Sequence, residues 1–66
     1  MNLSKAIITK RKQANLSQRS FGLGKNQLTE IERGKQVPTL HTLQRICEVL
    51  GCKVSELIQL AEIIKN

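Results

Sequence analysis

The chain has 66 residues, a net charge of +6, one Phe and neither Trp nor Tyr. A chain of this size buries only about 60% of its extended surface on folding, so the reading is one small domain, residues 1–66, with a marginal core of Ile, Leu, Val and Ala. No apolar run approaches the ~20 residues that span a bilayer, and the N-terminus lacks the apolar stretch and small residues of a signal peptide; membrane functions are set aside and the expectation is a cytoplasmic protein.

Five helical segments and no strand are predicted in chain order. The first covers about residues 3–14, with Leu3, Ala6, Ile7 and Ala14 on one side and Lys5, Lys12 and Gln13 elsewhere. Asn15 suits a left-handed helix stop. Ser17 is a good N-cap for the second, with Leu16 and Phe21 spaced as a hydrophobic staple. Gly22 ends that segment after little more than one turn. The third covers about residues 25–33, opens behind Gly24 and stops at Gly34. The fourth begins near Thr39 after Pro38. Its stripe is Leu40, Leu43, Ile46, Cys47 and Leu50, and Gly51 ends it. The fifth starts near Val54 and runs to the C-terminus, carrying Leu57, Ile58, Leu60, Ala61, Ile63 and Ile64. That apolar stripe is wider than one contact face needs.

The charge is one-sided. Lys5, Lys10, Arg11, Lys12, Arg19, Lys25, Arg33 and Lys35 stand against only Glu30 and Glu32 in residues 1–35, while the cations and carboxylates of residues 36–66 balance. A concentrated basic field suits a polyanion, most simply nucleic-acid phosphates; a solvated surface kept for solubility is the alternative. The same half holds residues 16–38: two short helices, a glycine-bearing turn and a basic loop. That is the layout of a helix-turn-helix, which places its second helix in the DNA major groove.

On a helical wheel the third segment points Leu28 and Ile31 inward. Asn26, Thr29, Glu30 and Arg33 point outward, flanked by Lys25 and Gln27. Asn suits adenine, Lys guanine, Glu the cytosine amino group and Thr the thymine methyl. Glu30 either reads a base or turns toward Arg33 or Lys25. Glu32 lies toward the core side and needs a partner; Arg11 on the first helix is the candidate.

The stretches LSQ, IERGKQVPTLHTL and LGCKVSEL resemble the phage Cro/repressor-type, or XRE-like, helix-turn-helix family over roughly residues 3–60. The resemblance implies an all-α fold, a compact five-helix repressor-like DNA-binding domain. It implies base-reading by Lys25, Asn26 and Glu30, with Gln27 and Thr29 nearby. It implies phosphate contacts from Gln18, at a phosphate or the edge of the groove, and from Arg33, Lys35 and Gln36; Arg19 is grouped with them. Arg11 and Glu32 match the family's structural ion pair. The implied partner is double-stranded DNA, a palindromic operator bound by a homodimer. Between Gln18 and Ile31 the chain departs from the pattern: Arg19 to Glu30 is twelve residues, about one helical turn fewer than the family carries.

The remaining chemistry is sparse. Cys47 and Cys52 fall at apolar positions and are expected reduced and buried; with His41 as the only His, no metal site is expected. His41 is read as a surface residue. Ser17, Ser20 and Ser55 read as helix starts with no base to activate them. No cofactor, small-molecule substrate or catalytic residue is expected. The function expected is a sequence-specific transcriptional repressor or autoregulator, with Leu60, Ile63 and Ile64 as the dimer contact. The alternative is a protein-interaction module, such as the antitoxin of a toxin pair or a regulator that has lost DNA contact.

Overall fold

Four α-helices and one 3-10 turn make up the structure, a computed structural model that describes residues 1–24 and 26–64. They are α1 (Leu3–Gln13), the 3-10 turn (Gln18–Phe21), α2 (Gln27–Glu32), α3 (Leu40–Leu50) and α4 (Val54–Ile63). The described residues contain no strand. The all-α reading therefore stands, with four helices where five were expected. The segment that fails to become an α-helix is the one after Ser17. It is held by Ser20 N–H donating to Ser17 O at 3.1 Å and Gly22 N–H to Arg19 O at 3.3 Å, the i→i+3 pattern of a tighter, weaker helix. Gly22 then turns left-handed at φ 63° and ends the segment. Ser17 does not cap through its side chain; its hydroxyl lies 3.3 Å from that of Ser20.

The first three α-helices stop in the same way. Left-handed residues follow α1, α2 and α3 at Asn15 (φ 56°), Gly34 (φ 75°) and Gly51 (φ 73°). Each is enclosed by the paired hydrogen bonds of a Schellman motif. Leu16 N–H reaches Arg11 O and Asn15 N–H reaches Lys12 O; Lys35 pairs with Glu30 and Gly34 with Ile31; Cys52 pairs with Cys47 and Gly51 with Glu48. The residue after the left-handed one decides what the motif does. Leu16 and Cys52 are apolar and fold back onto the core. Lys35 is exposed, so the same geometry after α2 delivers a cation to solvent.

Helix starts are equally local. Asn2 Oδ1 accepts from Lys5 N–H at 3.0 Å, Thr39 Oγ1 from Thr42 N–H at 3.2 Å, and Glu56 Oε1 from Lys53 N–H at 2.9 Å. Asn2 N–H also donates to Ala61 O at 2.8 Å, joining the start of α1 to α4.

The core combines Ala6 and Ile7 of α1, Phe21 of the 3-10 turn, Leu28 and Ile31 of α2, Leu43, Ile46 and Cys47 of α3, and Leu57 and Ala61 of α4. α1 packs against α4 and α2, while α3 packs against α4 and the 3-10 turn. Three residues assigned to apolar faces lie outside: Ala14, Leu40 and Ile63. Ala14 is exposed because α1 ends at Gln13 and the chain turns away there. Leu40, the first residue of α3, is 66% exposed, whereas Thr42 in the same turn is buried, its hydroxyl accepting from Thr39 Oγ1 at 3.1 Å. On α4, Leu60 and Ile64 rest partly on the chain's own core, whereas Ile63 is 74% exposed. Both cysteines are free thiols; Cys47 is buried and Cys52 half-buried. Burial, reinforced by the neighbouring Cys52, pushes the Cys47 thiol up to about 12, so it stays neutral at physiological pH.

Candidate nucleic-acid interface

The helix-turn-helix is formed by the 3-10 turn, the link through Leu23 and Gly24, and α2. α2 is short because its stop is fixed by Gly34 and its start by Asn26, the N-cap residue, in place of the expected Gly24. Gly24 instead donates its N–H to Gln27 Oε1 at 3.4 Å. Leu28 and Ile31 anchor the helix to the core at 3% and 0% exposure. With those two residues inward, Asn26 and Glu30 face solvent and Gln27 is half-buried. Asn26 makes no capping bond with its side chain, so its amide remains available to a ligand. Arg33 is exposed at the C-terminal end of α2, where a cation also suits the helix dipole. Lys35 and Gln36 are exposed in the loop that follows, and Arg19 is exposed on the 3-10 turn. Lys25 lies outside the described residues.

Behind this face is a polar network. Arg11 Nε and Nη2 donate to Glu32 Oε2 and Oε1 at 2.7 and 3.0 Å, a bidentate fork. Arg11 Nη1 donates to Leu16 O at 3.1 Å, so the same guanidinium also holds the end of α1. The side chains are 16% and 7% exposed, and theirs is the one ion pair among the described residues. Donating to the Glu32 carboxylate raises the Arg11 pKa further above its already high value. The network continues: Gln18 Nε2 donates to Glu32 Oε1 at 3.0 Å, and Thr29 Oγ1 donates to Gln18 Oε1 at 2.8 Å.

The structure thus divides the residues singled out from the sequence. Asn26, Gln27, Glu30, Arg33, Lys35 and Gln36 lie along or just beyond one face of α2. Gln18 and Thr29, read as a phosphate contact and a base contact, are bonded to each other within the network. The pattern held a signal for this that single-residue reading missed: Thr29 and Glu32 are three apart on α2 and therefore neighbours on its surface, so whatever approaches Glu32 also meets Thr29. A concavity of about 390 Å³ lies between the turn and α2, lined by Gln18, Arg19, Leu23, Gly24, Leu28 and Thr29. One exposed apolar side chain beside the basic loop went unremarked in the sequence: Val37, 84% exposed, three residues before the outward Leu40.

The arrangement offers hydrogen-bonding side chains on a helix fixed from behind, with cations at its end and on the flanking turn. A family model for the helix-turn-helix matches residues 7–57. No curated protein and no solved structure matches the chain.

Proposed function

Because the chain belongs to the XRE-like helix-turn-helix family, whose members are DNA-binding regulators, we propose that it is a sequence-specific transcriptional repressor or autoregulator. Residues 1–66 act as one DNA-binding domain. α2 enters the major groove, with Asn26, Gln27 and Glu30, together with Lys25, reading base edges. Arg19, Arg33, Lys35 and Gln36 hold phosphates on either side. The observation that carries the reading is the outward face of α2: its polar side chains project to solvent while Leu28, Ile31 and Glu32 fix the helix from within.

A six-residue helix reads few base pairs, so a single copy has little discrimination. Two copies on a palindrome, with half-sites about one helical turn apart, double the contacts. Ile63, with the outer edges of Leu60 and Ile64, is the proposed dimer contact.

Selection of bound DNA from a random pool, repeated across salt concentrations, tests this. The expected product is a palindromic consensus whose affinity falls steeply with salt. A pool that stays random after repeated rounds sinks sequence-specific regulation. A consensus without two-fold symmetry sinks the dimer.

A further inference from the structure

We infer that Gln18 is a positioning residue that sets the angle of α2, and not a phosphate contact. The inference rests on the DNA-binding reading and refines it. The 3-10 turn packs chiefly against α3, and α2 chiefly against α1. The two arms of the helix-turn-helix are therefore held mainly by different neighbours. A four-residue turn offers little surface for direct packing on α2, and Phe21, its one buried residue, points into the shared core. The direct polar tie between the arms is the Gln18 amide. Its Nε2 donates to Glu32 and its Oε1 accepts from Thr29, and these partners are one turn apart on α2.

The geometry also limits what Gln18 can do elsewhere. The carbonyl oxygen and one of the two N–H groups are committed inside the protein, and the residue is half-buried. Glu32 is itself held by Arg11 from α1, so the amide closes a chain from α1 through α2 to the turn. Losing the amide leaves the Arg11–Glu32 fork intact and frees the turn from α2. The helix then keeps its reading side chains but loses its fixed approach to the groove. Thr29 belongs to the same device: its hydroxyl is the donor to Gln18, which leaves only its methyl and the oxygen's acceptor lone pairs for a base.

The test is a double-mutant cycle of Gln18→Leu and Thr29→Val, read on the selected consensus, on random DNA and in chemical unfolding. Expected is about a ten-fold loss of affinity for the consensus from Gln18→Leu, as for a lost hydrogen-bonded positioning contact. Random DNA should be bound within about two-fold of the unaltered chain, and the salt slope should be unchanged, because no phosphate contact is removed. The double variant should lose little more than Gln18→Leu alone, since both remove one connection. A salt slope reduced by about one unit, with equal loss on random DNA, overturns the inference and restores Gln18 to the phosphates. Purely additive losses overturn it as well. If Gln18→Leu fails to fold, Thr29→Val, which keeps shape and methyl, carries the test: unaltered preference for the consensus over random DNA overturns the inference. If the unaltered chain binds no DNA, the DNA-binding reading fails. The unfolding cycle then still decides the tie, and additive stabilities in it overturn the coupling.

Discussion

The two sides of α2 carry similar residue types and hold them differently. Inward, Glu32 and Thr29 are enclosed by Arg11 and Gln18, and every polar atom of the cluster has a named partner. Outward, Asn26, Glu30 and Arg33 face solvent, and Asn26 makes no capping bond. A helix of six residues is too short to be stable alone, so the inner side supplies the order that the outer side uses. What separates the two carboxylates is location: Glu30 and Glu32 are two residues apart, yet Glu30 faces solvent and Glu32 is enclosed against Arg11.

The largest expected effect comes from breaking the inner side. Glu32→Ala leaves the Arg11 guanidinium largely buried without its counter-charge and removes the partner of Gln18. The expected loss is about 3 kcal/mol, a large share of the stability of a small domain. It is measured by chemical unfolding followed by circular dichroism. Glu30→Ala, two residues away, should change stability by less than about 0.5 kcal/mol. Similar losses for both variants would show that the two sides are not distinct.

That inner side also explains where the sequence was legible and where it was not. The helix stops were readable because each depends on one residue type: Asn15, Gly22, Gly34 and Gly51 all turn left-handed. The strongly periodic α3 and α4 were readable from their apolar spacing. Residues 18–21 were not, because four residues carry too little periodicity to separate α from 3-10 geometry. Leu40 matched the stripe of α3 yet lies at its exposed start, since a helical wheel shows direction but not where the neighbouring elements end. The outward set on α2 was readable once Leu28 and Ile31 fixed the wheel. The Gln18–Thr29 bond was not, because it depends on the relative placement of two elements eleven residues apart.

On the outer side the expected effects are on binding. Asn26→Ala should lower affinity for the selected consensus by about 1–3 kcal/mol, with stability unchanged because no capping bond is lost. Competition binding against consensus and random DNA measures it, and equal loss on both would remove Asn26 from the reading set. Gly34→Ala acts on the junction between the sides. Its Cβ would sit 3.7 Å from Ser4 Oγ, so space is not the obstacle; φ +75° is. The expected cost is about 1–2 kcal/mol of stability, seen as a lower unfolding midpoint. An unchanged midpoint would mean that the loop relaxes without the left-handed turn.

Lys35→Ala gives the smallest and sharpest comparison. Lys35 occupies the position of the Schellman motif that Leu16 and Cys52 fill after α1 and α3, and it is the one of the three that is exposed. Its backbone N–H bond to Glu30 O at 2.9 Å does not depend on the side chain, so alanine keeps the turn and the stability. What is lost is one cation beside the end of α2. Specific and random DNA should then weaken together, and the slope of log affinity against log salt should flatten by about one unit. An unchanged slope would leave Lys35 as a solvated end of the motif and shift the phosphate contacts of this side to Arg33. A loss confined to the consensus would instead make Lys35 a base reader and extend the outer face one residue beyond the glycine.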